Sequence, residues 1–334
     1  MPFDFDPRAC AKCRFNYCVE DLRKKPVRGR NTKFRLKQDV ALACTFEGMV
    51  PGFHNDPQPA MDFDHYMGRF RSNLKNAGKN LFGRAFEVSD SAIAKVEGDV
   101  FELLEAAALW EVAAAWNQFM DSGKWNAPTL TSPHGAVSAP DRKVAFVKLP
   151  RNYDATLLFT EAARKNIRAH EAALNLRKME LGLSSPDIVG VRLTTPLPND
   201  CRVFASPLKN LDEPNRKLLE TAYQRVEGTL SGREFLFAIA VKRTTRSDRL
   251  YQPLFEANVL KYLIQDVLRG AAFRFHVHVG SFEGADVEGH YRAASLFSLL
   301  RGGEPSLAVD RLIESKQPVA LAQAVLDDLP LFPL

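Results

Sequence analysis

Glu234-Phe-Leu-Phe-Ala-Ile-Ala-Val-Lys242-Arg-Thr-Thr-Arg-Ser-Asp-Arg249 carries the most apolar run of the chain directly into a basic cluster. Phe235 to Val241 is seven apolar residues without interruption. A strand that is apolar on both faces is buried on both faces, so this one belongs in the middle of a sheet. By the period of two, Leu236, Ala238, Ala240 and Lys242 share one face. The strand therefore ends on a single lysine, followed by Arg243, Arg246 and Arg249 around Asp248. A buried strand that ends in charge is a place where side chains converge on something polar.

Working outward, Pro186-Asp187 opens a second strand, Ile188 to Leu193. Ala145 to Leu149 and Phe273 to Val279 read as further strands. Between them lie helical patterns. Residues 91–119 repeat Val96, Val100, Leu103, Leu104, Ala107 and Trp110 at helical spacing. Thr160 to Gly182 is a charged amphipathic helix stopped by Gly182. A helix begins near Pro214 with Asp212 as its cap, its apolar face being Leu218, Leu219, Ala222, Tyr223 and Val226. Arg249 to Arg269 forms another, ending at Gly270. Residues 121–142 and 194–210 read as loops. The alternation of helix and strand through 145–280 predicts an α/β core with helices on both faces of a sheet.

Composition excludes several classes. The 334 residues are 46% hydrophobic and 25% charged, which is globular and neither disordered nor fibrous. No apolar run approaches the ~18–20 residues of a membrane helix. The first residues lack a basic region followed by an apolar one, so no secretory signal is expected. Five cysteines, an odd and unpatterned set, argue for free thiols in a reducing cytoplasm. Cys10, Cys13 and Cys18 lack a second ligand pair at zinc-finger spacing. His276 and His278 would share a strand face, where histidines are more often packed than metal-bound. Signatures of a serine hydrolase, an NTPase or a dinucleotide-binding protein are missing. The net charge of +5 is mild, but its distribution is uneven. Leu22 to Gln38 holds eight basic residues and no acid, interrupted by Pro26 and Gly29. That segment is either a solvated face or an arm that lies on phosphates.

Asp187 and Lys242, 55 residues apart at the ends of two strands, suggest a way to cut a phosphodiester. The carboxylate holds a divalent cation. The cation and the lysine lower the pKa of an attacking water and offset charge on the phosphate. A second acid is expected two residues before the lysine, but Ala240 stands there. Glu256, in the following helix between Phe255 and Ala257, and Glu102, between Phe101 and Leu103, sit in apolar surroundings where a carboxylate needs a partner or a metal. On these residues alone, a structural salt bridge for the first pair and buried ion pairs for the glutamates are the commoner readings.

Pro186-Asp187, then Lys242, then Arg246-Ser-Asp-Arg249, then Glu256 resembles the CCGG-cutting branch of the PD-(D/E)XK type II restriction endonucleases, in which the last acid of the motif has moved into the helix. The likeness is nearly continuous from Ala240 to Val259. It recurs in order at Pro26 to Arg30, Gly98 to Glu102 and Ser185 to Asp187, and it spans most of residues 1–300. It implies an α/β fold with a mixed central sheet flanked by helices and an N-terminal arm. The implied organisation is a basic dimer and DNA-contact region over 1–90, a nuclease core over 91–300 and a C-terminal extension over 301–334. It also implies roles. Asp187 is the central metal ligand, Lys242 activates water, Glu102 and Glu256 complete the acidic site, and the Val241 carbonyl touches metal. Arg246, Asp248 and Arg249 read the core, with Ser247 a local backbone partner in the same DNA-binding run. Arg30 and Lys95 contact bases outside it. The chemistry is consistent, since arginine pairs with guanine O6 and N7 and a carboxylate accepts from cytosine N4. The cofactor implied is Mg²⁺, with Mn²⁺ as substitute. The partners are double-stranded DNA and a second copy of the chain, in a bacterial cytoplasm, with larger assemblies on DNA open. The rivals are a catalytically silent DNA-binding protein of this fold and a repair nuclease without sequence preference.

Overall fold

The computed structural model describes residues 18–23, 33–48, 63–127, 129–179, 181–182, 185–194, 199–208, 210–244, 251–270, 273–282, 289, 291–292, 295–301 and 305–332. The chain divides into two units, residues 1–104 with 209–217, and residues 105–208 with 218–334.

In the first unit, β1 (Val19–Asp21) pairs antiparallel with β2 (Phe34–Leu36), in the register Val19 to Leu36 and Asp21 to Phe34. β1 ends just before the acid-free basic segment and β2 lies within it, and arginines near both ends of the segment are paired. Arg23 Nη2 lies 2.7 Å from Asp21, and Arg35 Nη2 lies 2.5 Å from Glu20. Helices α1 (Gln38–Gly48) and α2 (Phe63–Phe82) follow, then the start of α3 (Asp90–Ser122). Phe34, Phe82 and Phe86 form one aromatic cluster, and Phe63 meets Phe101. Glu97 has no exposure and is held by the two-pronged guanidinium of Arg71. Its Oε2 lies 2.7 Å from Nη2. That fork satisfies a buried carboxylate which would otherwise be strongly destabilising.

The second unit is built on a five-stranded sheet in the order β3 (Val144–Lys148), β4 (Ile188–Arg192), β5 (Phe235–Thr244), β6 (Arg274–Ser281), β7 (Arg311–Glu314). β4 runs antiparallel to both its neighbours, β3 and β5, whereas β5, β6 and β7 run parallel. The apolar run is therefore the middle strand, as its pattern predicts, and Phe235 to Val241 are all buried. In β4, Gly190 is opposite Phe146 on one side and Phe237 on the other. A Cβ there would stand 2.5 Å from the first ring and 2.9 Å from the second, so both rings close over a residue without a side chain.

The second unit also contains the remainder of α3, α4 (Glu161–Asn175), α6 (Tyr251–Tyr262), α7 (Leu296–Arg301) and α8 (Pro318–Asp328). Helix α5 (Glu213–Thr221) crosses the boundary between the units. Trp110, Trp116 and Phe204 fill the core under α3. Asn117, almost fully buried, donates to the carbonyls of Val144 and Phe204 and accepts from the Val144 N–H. One side chain thus stitches helix, strand and loop.

Helix boundaries depart from the sequence reading in four places. α4 starts at the Thr160 cap but stops at Asn175, not at Gly182. Lys178 takes a left-handed φ of 58°, the Lys178 N–H reaches the Asn175 carbonyl, and the Met179 N–H reaches the Leu174 carbonyl. That pairing closes the helix without glycine. The 194–210 loop contains a short 3₁₀ helix, Asn199–Ala205. The helix after Asp212 ends at Thr221, and Ala222 to Arg225 continue as 3₁₀. The helix expected over 249–269 is regular over Tyr251–Tyr262 and widens to a π turn over Leu263–Val267, and its first two residues lie outside the described ones.

Candidate active site

The antiparallel register of β4 and β5 pairs Ile188 with Ile239, so Asp187, one residue before β4, stands at the level of Ala240, next to the point where the buried part of β5 gives way to its polar end. Its main-chain carbonyl accepts from the Leu149 N–H at 2.9 Å, which ties the entry of β4 to the end of β3. Its side chain meets two donors from consecutive residues of β5. The Val241 N–H donates to Oδ2 at 2.7 Å, and Lys242 Nζ donates to the same oxygen at 2.9 Å. Both the Asp187 and the Lys242 side chains are 21% exposed. A charge-assisted pair at that depth is strong and still open to solvent. The strand supplies rigidity, and the polar tip lies where the buried strand emerges.

Glu256 on α6 is 3% exposed, as its apolar neighbours predict. Its Oε1 accepts from Gln252 Nε2, one turn earlier, at 2.8 Å. The Tyr291 phenol is pushed far above its ordinary pKa, first by burial and then by the charge of Glu256. Glu102 is half-buried on the part of α3 that belongs to the first unit. The same helix carries two glutamates with no exposure that the sequence reading passed over, Glu97 and Glu105. Their signal was helical spacing on the apolar face (97, 101, 104, 105), which the eye reads as core and so discounts. Among the described residues, no three His, Cys, Asp or Glu side chains are gathered to hold a metal ion. The donors at hand are carboxylate oxygens, which suit Mg²⁺ or Mn²⁺ and not a thiophilic metal.

Lys95 is exposed on α3 and lines an open cleft of about 600 Å³ in the first unit, together with Arg35, Lys37, Ser89 and Leu22. Arg30, Arg246, Ser247, Asp248 and Arg249 lie outside the described residues, as do Cys10 and Cys13. Cys18, Cys44 and Cys201 are in no disulfide among the described residues. His276 and His278 are packed in the core, and each lies beside a buried carboxylate. His276 Nε2 lies 3.0 Å from Asp328 and His278 Nδ1 lies 3.1 Å from Glu105, all four side chains having no exposure. Burial pushes His276 below its ordinary pKa. Burial pushes the Asp328 carboxyl up, but His276, Arg274 and Arg311 bring it net below the ordinary carboxylate value. With His276 neutral near pH 7, the two guanidinium groups, at 2.9 and 2.8 Å, carry that compensation.

A mixed sheet whose antiparallel strand start and central strand end bring together a carboxylate and a lysine is the frame of a PD-(D/E)XK-type nuclease. The chain belongs to the Cfr10I/Bse634I restriction endonuclease family, whose model matches residues 63–327. It is accordingly a site-specific deoxyribonuclease. Its fold is similar to that of the type IIF restriction endonuclease Bse634I solved with cognate DNA. The TM-score is 0.68 at 18% identity, over 94% of this chain and 97% of that one. A second Bse634I structure gives the same TM-score and identity over 92% and 96%. No curated protein sequence matches this one. No helix among the described residues is long and apolar enough to cross a membrane.

Proposed function

We propose that the chain is a type II enzyme that makes double-strand breaks at a palindrome with a CCGG core, as a homodimer and with Mg²⁺. Within the CCGG-cutting branch its motif order resembles that of SgrAI most, which points to CR^CCGGYG and a four-base 5′ overhang. The observation that carries the reading is the convergence of the Val241 N–H and Lys242 Nζ on Asp187 Oδ2, at 2.7 and 2.9 Å.

In this reading Asp187 is the central ligand of the ion, with Glu102, Glu256 and the Val241 carbonyl as the further donors. Bound Mg²⁺ supplies a more acidic water and offsets charge on the phosphate. The chain supplies the rest. The backbone N–H of Val241 fixes the carboxylate, so one of its oxygens is already oriented before DNA arrives. Lys242 orients the attacking water and faces the charge that develops on the phosphate, where a preorganised cation in a partly buried setting stabilises the transition state most. Arg246 and Arg249 read guanine and Asp248 reads cytosine in each half-site, with Ser247 supporting their backbone. Arg30 and Lys95 contact the flanking pairs. A palindrome mirrors a two-fold axis and each chain cuts one strand, hence two chains.

Sequencing the ends released from a random-sequence plasmid library in Mg²⁺ tests this directly. A single population of ends with a CCGG overhang is expected. Bound but uncut DNA in both Mg²⁺ and Mn²⁺ would make the chain a silent binding protein of this fold. Ends without a common core would make it a nuclease of no sequence preference.

A further inference from the structure

The end of β5 that carries the active-site residues is held unevenly. Its pairing with β4 stops at Ile239 opposite Ile188. From Ala240 to Lys242 it is paired in register with β6 alone, Ala240 to Val277, Val241 to His278 and Lys242 to Val279. Pairing with β6 and contact with Asp187 thus both bear on the lateral position of Val241 and Lys242. Whatever fixes β6 at this level fixes the geometry of the site.

At that level stands His278. Its side chain shares a face with that of Val241, the face opposite Lys242. It has no exposure, and its Nδ1 lies 3.1 Å from Oε1 of Glu105 on α3, which has no exposure either. Burying an imidazole and a carboxylate is unfavourable against apolar residues of similar size, unless direction matters. Phe275, Val277 and Val279, which alternate with the two histidines and face the other side of the strand, are apolar and fully buried. A second pair, His276 with Asp328, already joins β6 to the C-terminal helix two residues earlier. Holding the strand to the core does not need both.

We infer that the buried Glu105–His278 pair is a positioning device for DNA cleavage: it fixes β6 against α3 at the level of Val241, so that Val241 and Lys242 keep their approach to Asp187. The inference rests on the endonuclease reading above. Neither residue touches the reacting atoms; both act through β6 on β5. A misplacement of about 1 Å in a catalytic constellation can slow a reaction ~10²-fold without touching binding.

The test compares wild type, Glu105→Gln and the double variant Glu105→Leu with His278→Phe. Three quantities are read: melting temperature, affinity for a CCGG oligonucleotide with Ca²⁺ in place of Mg²⁺, and the single-turnover cleavage rate in Mg²⁺. The double variant, with both polar groups removed together, is expected to melt and bind DNA like wild type but to cleave about tenfold or more slowly. Glu105→Gln keeps a polar partner for His278 and is expected to cleave within about threefold of wild type. A double variant that cleaves at the wild-type rate overturns the inference, and so does a parallel loss of affinity and rate, which would mean a purely structural pair. If the double variant does not fold, Glu105→Asp decides. It draws the carboxylate back by one methylene and should bind normally and cleave several-fold more slowly, whereas a wild-type rate overturns the inference. A wild type that binds and never cuts sinks the endonuclease reading instead, and does so before any variant is compared.

Discussion

On the proposed reading the chemistry turns on Lys242, and its neighbours predict how its loss will read. Lys242→Ala removes the cation at 2.9 Å from Asp187 but no contact to a base edge. Cleavage of a cognate oligonucleotide should fall ~10²-fold or more while a gel shift on the same oligonucleotide changes little. A variant that retains a tenth of the rate would deprive Lys242 of its role. Glu256→Ala should weaken Mg²⁺-dependent cleavage severely and Glu256→Asp less, because Ala240 leaves the site short of an acid. Normal cutting by Glu256→Ala would end the displaced-acid reading. Arg246 and Arg249, if each makes a two-pronged contact to guanine, contribute roughly 1–3 kcal/mol of discrimination apiece. Either alanine variant should then relax one position of the core, seen in the sequences of the cut ends. A uniform loss on all sequences with a shallower salt dependence would make that arginine a phosphate contact.

Elements carry a different kind of prediction. Asp328, on α8, is buried between His276 and two guanidinium groups of β6 and β7, so it fastens the C-terminal helix to the sheet. Asp328→Ala takes the acceptor from a buried neutral imidazole and two partly exposed guanidinium groups and should destabilise by about 1–3 kcal/mol in denaturant titration. The sign with pH follows from the shifts. His276 is lowered in the folded chain, so the unfolded chain takes its proton first, and stability falls as pH drops through the ordinary histidine range. Asp328 is also lowered, so its contribution is present above the ordinary carboxylate value and is lost as pH falls through its folded value. A His276→Asn variant should lose the upper part of that decline and keep the lower. A melting temperature that does not fall between pH 7 and 5 in wild type would contradict it. In β4, Gly190→Ala must displace the Phe146 or Phe237 ring and should lower stability by about 1–3 kcal/mol. Strand positions were legible because burial on both faces leaves an unbroken apolar run, and β5 fell where its pattern put it. The end of α4 was not legible, because a left-handed lysine did the work usually given to glycine. The two buried histidine–carboxylate pairs were not legible either. Their partners lie 52 residues downstream and far upstream, and no spacing rule links them. Asp187 and Lys242 were legible as a candidate pair at two strand ends, whereas the oxygen that Lys242 shares with the Val241 N–H was a matter of register.

For the molecule as a whole, recognition is expected to reach beyond the core through Lys95 and Arg30. Lys95→Ala should relax the outermost G·C pair and Arg30→Ala should blur the adjacent purine–pyrimidine preference, with CCGG still required. Unchanged flanks in both variants, read by sequencing the cut ends, would reduce the site to six or four bases. The reversal of strand sense at β5 has a bearing on how the enzyme comes into being. Asp187 and Lys242 lie 55 residues apart, and they are brought together by the pairing of β4 with β5, whose end is flanked on the far side by the later strand β6. Pairings of such long range form late in folding. A chain still emerging from the ribosome, or one that has collapsed without completing its sheet, has both residues and no scissors. The DNA of the cell that makes the enzyme is therefore spared by unfinished molecules, and in refolding experiments the return of cleavage should trail the return of helix.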